Sequence, residues 1–190
     1  MFDIILRVIK VYYSFTTEYH IDDKIEIEDF ERQRYISTIT DKERKAQSIK
    51  VWKLLEFALK KDFSINDMQF ERCENGSWQL KNGKPFFSLS HSKGLVVVAI
   101  DEENNIGVDV ELVSNKILKI QKLFPNLSNE QINEDRLTLE WTKKESLFKN
   151  KKGKNFVSNK IFNNGNYYYV TACVCDSNVQ FIEVKFIDTI

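Results

Sequence analysis

Two carboxylates stand at alternate positions of residues 107–111, whose sequence is GVDVE. Because successive side chains of a strand point to opposite faces, this pattern predicts a strand that buries its two valines and presents Asp109 and Glu111 on the other face. Their Cα atoms are then about 6.6 Å apart. Both carboxylates can ligate one Mg²⁺ ion, which proteins bind through one or two carboxylates, waters and substrate phosphates. An ordinary solvated strand face gives the same pattern.

A third acid lies in residues 141–149, whose sequence is WTKKESLFK. The 3.6-residue period of a helix places Glu145 and Lys149 on neighbouring parts of one surface, beside Trp141 and Phe148. An exposed Glu145–Lys149 ion pair, which stabilises a helix by about 0.2–0.5 kcal/mol, is the simplest interpretation. Six lysines within twelve residues favour a site for a polyanion instead: Lys143, Lys144, Lys149, Lys151, Lys152 and Lys154.

A third segment, residues 83–92 (GKPFFSLSHS), predicts a rigid turn followed by a short strand that ends in hydroxyls and an imidazole. Ser90 and His91 can donate hydrogen bonds to phosphate oxygens, although hydrogen bonding at a strand end explains them equally well. A serine hydrolase is disfavoured because no G-x-S-x-G elbow surrounds Ser90. The chain also lacks the G-x-x-x-x-G-K-[ST] phosphate-binding loop of nucleoside triphosphatases.

The overall composition restricts the partners and the compartment. The 190 residues carry 28 basic and 28 acidic side chains, so no global field attracts the chain to nucleic acid or to an anionic membrane. Three cysteines (Cys73, Cys173 and Cys175) match no zinc spacing, which favours reduced thiols. No apolar run approaches the roughly 20 residues that cross a bilayer. We therefore expect a soluble, cytoplasmic protein that binds neither nucleic acid nor membranes.

The elements that position these segments follow from periodicity. A helix is predicted over residues 41–60, with Ile49, Trp52, Leu55 and Leu59 as its buried stripe. The remaining predictions are strands at residues 4–15, 77–80, 86–89, 95–100 and 106–112, helices at 118–124 and 130–149, and a closing hairpin of strands 167–174 and 179–186. The order indicates the α+β class. It is roughly duplicated, with a strand, a helix and a hairpin in each half.

The three segments, G-K-P-x-F-x-x-S-H-S, G-V-D-V-E and W-T-x-K-E-S-x-x-K, together resemble the Sfp-type 4′-phosphopantetheinyl transferases. The resemblance covers residues 83–149 and is poor before residue 40. It implies the 4′-phosphopantetheinyl transferase fold, in which two pseudo-twofold-related α+β halves in one chain enclose coenzyme A. The halves here would be residues 1–100 and residues 101–190, and the second would carry the metal-binding acids.

The resemblance also implies roles for individual residues. The Mg²⁺ ligands would be Asp109, Glu111 and Glu145, and the catalytic residues Asp109, Glu145 and Lys149. Glu145, or a metal-bound water that it orients, would be the base for the serine hydroxyl. The contacts to coenzyme A would come from Lys84, Pro85, Ser90, His91, Lys144 and Lys149, together with Arg44 in a basic segment that begins at Asp41.

The activity implied is that of a holo-[acyl-carrier-protein] synthase. A serine of an apo acyl or peptidyl carrier protein would receive the 4′-phosphopantetheine of coenzyme A, and 3′,5′-ADP would leave. The enzyme would be a monomer serving fatty-acid, polyketide or nonribosomal-peptide biosynthesis, and no residue selects among these carriers. Two alternatives remain open: a non-catalytic module of the same fold that binds coenzyme A or a carrier, and a phosphohydrolase that uses the same acids with water.

Overall fold

The computed structural model describes residues 8–16, 27, 29–128, 130, 132–150, 152–175 and 178–185. These residues form a mixed α+β structure, as the sequence predicts. Its helices are α1 (Phe30–Ser37), α2 (Lys42–Phe63), α3 (Glu134–Lys149) and a 3₁₀ helix (Asn115–Leu123). Its strands are β1 (Ile9–Phe15), β2 (Phe70–Arg72), β3 (Trp78–Leu80), β4 (Phe86–Ser92), β5 (Leu95–Asp101), β6 (Gly107–Leu112), β7 (Asn155–Asn163), β8 (Asn166–Val174) and β9 (Val179–Glu183).

The larger sheet has the strand order β4-β5-β1-β9. Strand β1 pairs antiparallel with β5 and parallel with β9. Every residue of β5 is buried, because one face of the sheet packs against α2 and the other against a second sheet. This double coverage explains why β5 is a nearly continuous apolar run rather than an alternating one.

Helix α2 covers the outer face of the larger sheet. Its first turn is capped by Asp41, whose side chain accepts a hydrogen bond from the backbone N–H of Arg44 at 2.7 Å. Trp52, Leu55 and Leu59 are fully buried, which confirms the predicted stripe, and Ile49 packs partly buried at its side. Neither α2 nor another helix in the described part of the chain has the length and apolar composition needed to span a membrane.

The second sheet has the order β6-β8-β7, and α3 lies on one of its faces. The other face packs against the larger sheet through apolar side chains from both. Small polar residues line the contact of α3 with this sheet, and Thr142 Oγ1 lies 2.8 Å from Thr171 Oγ1. A Cβ atom at Gly107 would lie 2.0 Å from the carbonyl oxygen of Ser146, so β6 and α3 approach as closely as glycine allows.

The predicted closing hairpin is wrong. Strand β8 pairs with β6 and β7, whereas β9 leaves this sheet and pairs with β1. The hairpin is instead β7–β8, joined by Asn164 and Gly165 with φ values of 47° and 78°. Strand β7 was missed because its polar residues follow a lysine-rich run that reads as a loop. Residues 4–7 and 186, also predicted as strand, lie outside the described residues.

Helix boundaries differ in smaller ways from the predictions. Helix α3 begins at Glu134 rather than near residue 130, because the side chain of Asn133 accepts a hydrogen bond from the backbone N–H of Arg136 at 2.8 Å. Helix α1 was not predicted. The predicted division into halves at residue 100 and their pseudo-twofold relation stay predictions, although β9 joins the sheet of the first half.

We predict that Gly107→Ala destabilises the protein, because the added methyl must push α3 away from β6. The expected loss is about 1–3 kcal/mol or more of unfolding free energy, as for other overpacked sites. Urea unfolding measures it. Gly83→Ala is the matched control, since a Cβ there meets nothing within 4 Å and only the φ of 79° is unfavourable. A smaller loss at Gly107 than at Gly83 would contradict the close packing of α3 on β6.

Candidate functional site

The two sheets meet at a row of serine hydroxyls. Strand β4 is an edge strand of the larger sheet and β6 an edge strand of the smaller one. Instead of pairing through their backbones, the strands are bridged by side chains. The Oγ atoms of Ser88, Ser90 and Ser92 accept hydrogen bonds from the backbone N–H groups of Val108, Val110 and Leu112, at 3.0, 3.4 and 3.2 Å respectively. These contacts satisfy the backbone N–H groups on the outer edge of β6, which would otherwise be unpaired.

Asp109 lies at the centre of this junction. Its side chain projects from β6 opposite the buried Val108 and Val110, as the alternation predicts, yet the residue itself is only 6% exposed. Its Oδ1 atom accepts hydrogen bonds from Ser90 Oγ at 2.8 Å and from Lys149 Nζ at 2.9 Å. Its Oδ2 atom is buried and has no hydrogen-bond partner. One oxygen of a buried carboxylate is therefore fully engaged, and the other is unsatisfied.

Glu111 lies two residues further along β6 and is half-buried. Its Oε2 atom accepts a hydrogen bond from Ser92 Oγ at 3.1 Å. Burial raises the pKa of this carboxyl group, and the nearby charge of Asp109 raises it further. The hydrogen bond from Ser92 and the charge of Lys149 act in the opposite direction. A cation nearby favours the charged form of a carboxyl group in such a position.

Lys149 supplies one such cation from the last turn of α3. Its Nζ atom donates to the carbonyl oxygen of Val108 at 2.8 Å and to that of Leu89 at 3.4 Å, in addition to Asp109. The ammonium group therefore links α3 to both edge strands. The carboxylate partner of Lys149 is therefore Asp109 of β6, and an i,i+4 ion pair with Glu145 does not describe this contact.

Glu145 is half-buried one helical turn before Lys149 and three residues after Thr142. Thr142 contacts Thr171, which is the register partner of Asp109 in the sheet, so this surface of α3 lies over the region of the acid pair. In the described ranges, however, no three His, Cys, Asp or Glu side chains form a group that could hold a metal ion. The structure thus brings Asp109 and Glu111 to one face, and the membership of Glu145 stays a prediction.

The residues at the junction fit a divalent cation of the oxygen-binding type. A buried carboxylate oxygen without a partner is costly, and each such atom needs a physical explanation. A cation at Asp109 Oδ2 would satisfy that atom, and Glu111 would add a second carboxylate. Hard carboxylate oxygens are the ligands that Mg²⁺ takes in proteins, usually with waters and substrate phosphates completing its shell.

Cationic groups collect on the other face of β4. His91 is half-buried there, and its pKa is lowered to about 4 by burial and by the charges of Arg44, Lys149 and Arg32. The imidazole is therefore neutral at neutral pH. Arg44, in the first turn of α2, is close enough to affect this titration, as expected if it belongs to the same site. An excess of positive charge around a neutral imidazole suits an anion.

Arg32 is a member of this cationic group that the sequence analysis missed. It is 4% exposed, and its guanidinium carbon lies 4.5, 5.1 and 5.4 Å from the ring centroids of Trp52, Tyr35 and Trp78. One of its nitrogens donates to Ser48 Oγ at 2.8 Å. Burial lowers its pKa to about 10, which leaves it charged at neutral pH. The sequence signal for α1, and so for Arg32, was Asp29. Its side chain caps α1, and a capping residue indicates where a helix begins.

Three predicted residues lie away from this junction. Lys84 is exposed and Pro85 is buried just before β4 begins, at the opposite end of the strand from Ser90. Lys144 is exposed on α3, and its Nζ atom lies 5.7 Å from the ring centroid of Phe124. If these three residues contact coenzyme A as predicted, the binding surface extends beyond the acid pair.

Comparison with known proteins adds no family to this description. A scan against protein-family models finds no match, and a search among curated proteins finds none either. The geometry of the junction and the motifs in residues 83–149 are therefore the basis for assigning a function.

We predict that His91 makes folding stability depend on pH. Its pKa is about 4 in the folded state and near 6.5 when unfolded, so the unfolded chain binds protons more readily. The contribution of His91 to the free energy of unfolding is fully present above pH 6.5. It decreases as the pH is lowered from 6.5 to 4 and changes little below pH 4. His91→Asn should remove this component. Urea unfolding of both proteins between pH 4 and pH 7 measures the difference, and identical pH dependence would contradict the prediction.

Proposed function

We propose that this chain transfers the 4′-phosphopantetheine arm of coenzyme A to a serine of an apo carrier protein, in a Mg²⁺-dependent reaction that releases 3′,5′-ADP. One observation supports it most directly. The carboxylate of Asp109 accepts hydrogen bonds from Ser90 and from Lys149, and each of these three residues comes from a different one of the three motif segments. Segments that resemble the transferases in sequence thus meet at one carboxylate.

The charges at this junction suit the proposed reaction. When the carrier serine attacks the β-phosphate, negative charge grows on the bridging and non-bridging oxygens of the pyrophosphate. Fixed positive charge that meets this change lowers the barrier. Lys149 brings an ammonium group held by two backbone carbonyls and Asp109. Because those contacts fix Nζ before any substrate arrives, little reorganisation is needed during transfer.

Asp109 and Glu111 would hold the Mg²⁺ ion, through Asp109 Oδ2 and the Glu111 carboxylate, with Glu145 as the candidate third ligand. When bound, the ion would supply a second positive charge to the pyrophosphate oxygens. Glu145 is also the candidate base for the serine hydroxyl, directly or through a water that it orients. Its half-buried position on α3, beside the surface that carries Lys149, is compatible with either role.

The nucleotide end of coenzyme A would bind on the cationic side of β4. There Arg44 and the neutral His91 would contact phosphate oxygens, and the buried Arg32 would add positive charge from behind. Lys84 and Pro85 at the start of β4, and Lys144 on α3, would extend the binding surface. Bound phosphate would offset the positive charge that, together with burial, depresses the pKa of His91.

We also propose that the chain has the fold and the biological setting of the transferases. Two sheets, each covered by a helix and joined along their edges, are compatible with two pseudo-twofold-related halves around a cleft. The enzyme would act as a cytoplasmic monomer on acyl or peptidyl carriers of fatty-acid, polyketide or nonribosomal-peptide biosynthesis.

The proposed function is tested by incubating the protein with coenzyme A, Mg²⁺ and a set of apo carriers drawn from fatty-acid, polyketide and peptide synthetases. Mass spectrometry should detect a carrier that has gained the phosphopantetheine mass, with an equal amount of 3′,5′-ADP. Binding of coenzyme A with no gain on any carrier would favour a non-catalytic module. Release of 3′,5′-ADP without a carrier would favour a phosphohydrolase.

We predict that Asp109→Asn lowers kcat/KM for transfer by roughly 100-fold or more, the scale of losing one electrostatic contact to a transition state. The amide keeps the shape of the carboxylate but not its charge. Asp135→Asn is the matched control, because Asp135 also pairs with a lysine, Lys160, but both side chains of this pair are exposed to solvent. Equal rates for the two variants would remove Asp109 from the reaction centre.

We predict that Lys149→Gln raises the KM for coenzyme A by about tenfold or more, because it removes a fixed positive charge beside the pyrophosphate, and two unit charges 4 Å apart attract each other by about 1–4 kcal/mol near a protein surface. The difference from the unmodified protein should shrink as salt is added, because ions screen the charge. Lys160→Gln, which removes an exposed lysine of the β7–β8 hairpin, serves as the control. An unchanged, salt-independent KM for Lys149→Gln would exclude it from the phosphate site.

A further inference from the structure

We infer that Ser90 and Ser92 are positioning residues for the cation site: their hydroxyl groups hold the carboxylates of Asp109 and Glu111 in the orientation that binds a divalent cation. This inference rests on the proposed function only in taking the cation to be Mg²⁺. It assigns the hydroxyl groups of both serines to the acids of β6, whereas the resemblance implies a contact of Ser90 with coenzyme A.

Each of the two hydroxyl groups makes a pair of contacts with β6. Ser90 Oγ accepts from the backbone N–H of Val110 and donates to Asp109 Oδ1. Ser92 Oγ accepts from the backbone N–H of Leu112 and donates to Glu111 Oε2. A hydroxyl group has a single hydrogen to donate, and a carboxylate can only accept. The hydrogen of each serine is therefore committed to an acid.

These contacts restrict how the acids can turn. Asp109 Oδ1 is held by Ser90 at 2.8 Å and by Lys149 at 2.9 Å, which leaves Oδ2 as the oxygen available to a cation. Oδ2 is buried and unpartnered in a residue that is more than nine-tenths buried. Glu111 has a longer and more flexible side chain, and Ser92 holds one of its oxygens. Both acids are thus held by a hydroxyl group before a cation binds, and such preorganisation favours binding.

Hydrogen bonds from neighbouring groups to metal ligands act in this way generally. They fix the orientation of the ligand, and removing one typically weakens metal affinity by about 10- to 100-fold. The serines of β4 have the same relation to the acids of β6. They lie at alternate positions of one strand, so both face the neighbouring edge strand together.

Ser88 provides a control that distinguishes orientation of the acids from bridging of the two sheets. Its Oγ atom accepts from the backbone N–H of Val108 at 3.0 Å, so it bridges β4 and β6 as the other two serines do. The preceding residue of β6 is Gly107, however, and glycine has no carboxylate to orient. Ser88→Ala therefore removes one bridge between the sheets and leaves both acids held.

The experiment uses the full chain and Mn²⁺ alone as the probe, with free Mn²⁺ measured by electron paramagnetic resonance. Ser90→Ala and Ser92→Ala should each weaken Mn²⁺ binding by about tenfold or more. Ser88→Ala should remain within about twofold of the unmodified protein, and Ser92→Thr, which keeps the hydroxyl group, should restore the affinity lost in Ser92→Ala. Urea unfolding should show comparable stability losses for the three alanine variants.

Three results would overturn the inference: unchanged Mn²⁺ affinity in both Ser90→Ala and Ser92→Ala, an equal loss in Ser88→Ala, or no Mn²⁺ binding by the unmodified protein with or without coenzyme A. Failure of the proposed function is distinguishable from these results, because the titration requires neither transfer nor a carrier. A chain that binds Mn²⁺ through the serine-held acids but modifies no carrier would retain the positioning role and lose the transferase assignment.

Discussion

The buried carboxylate of Asp109 is the constraint on which the rest of the site depends. A charge this buried is tolerated only if it is paired and hydrogen-bonded, and here β4 supplies a hydroxyl group and α3 an ammonium group to the same oxygen. These two contacts require the edges of both sheets and the end of a helix to converge at one point. They also leave the second oxygen without a partner, which is the feature that makes the junction a candidate cation site.

The convergence depends on how closely α3 approaches the second sheet. Thr138, Thr142 and Ser146 are fully buried on its inner face, where a surface helix usually carries larger apolar residues. Their small side chains, together with Gly107 on β6, let the helix lie near enough for Lys149 to reach the carbonyl of Leu89 on the other sheet. A bulkier interface would keep the ammonium group away from the acids. The close packing of α3 on the second sheet is therefore what allows the ammonium group of Lys149 to contact the acids.

Sequence reasoning recovered the features that local patterns specify. The buried stripe of α2 and the alternation of Val108 and Asp109 each follow from periodicity. The burial of Asp109 did not, because the side chain is covered by β4 and α3 rather than by its own strand. The pairing of β9 with β1 was missed for a similar reason, since nothing within residues 179–186 indicates a partner so distant in sequence. Arg32 was missed because its aromatic neighbours come from three separate elements.

The central claim is that Asp109 Oδ2 and Glu111 bind a divalent cation beside Lys149. Anomalous diffraction from a crystal grown with Mn²⁺ and coenzyme A tests it most directly. The account predicts an anomalous peak about 2.0–2.3 Å from Asp109 Oδ2, with an oxygen of Glu111 and pyrophosphate oxygens in the same shell. Coenzyme A bound with its pyrophosphate elsewhere, or Mn²⁺ bound away from both acids, would contradict it.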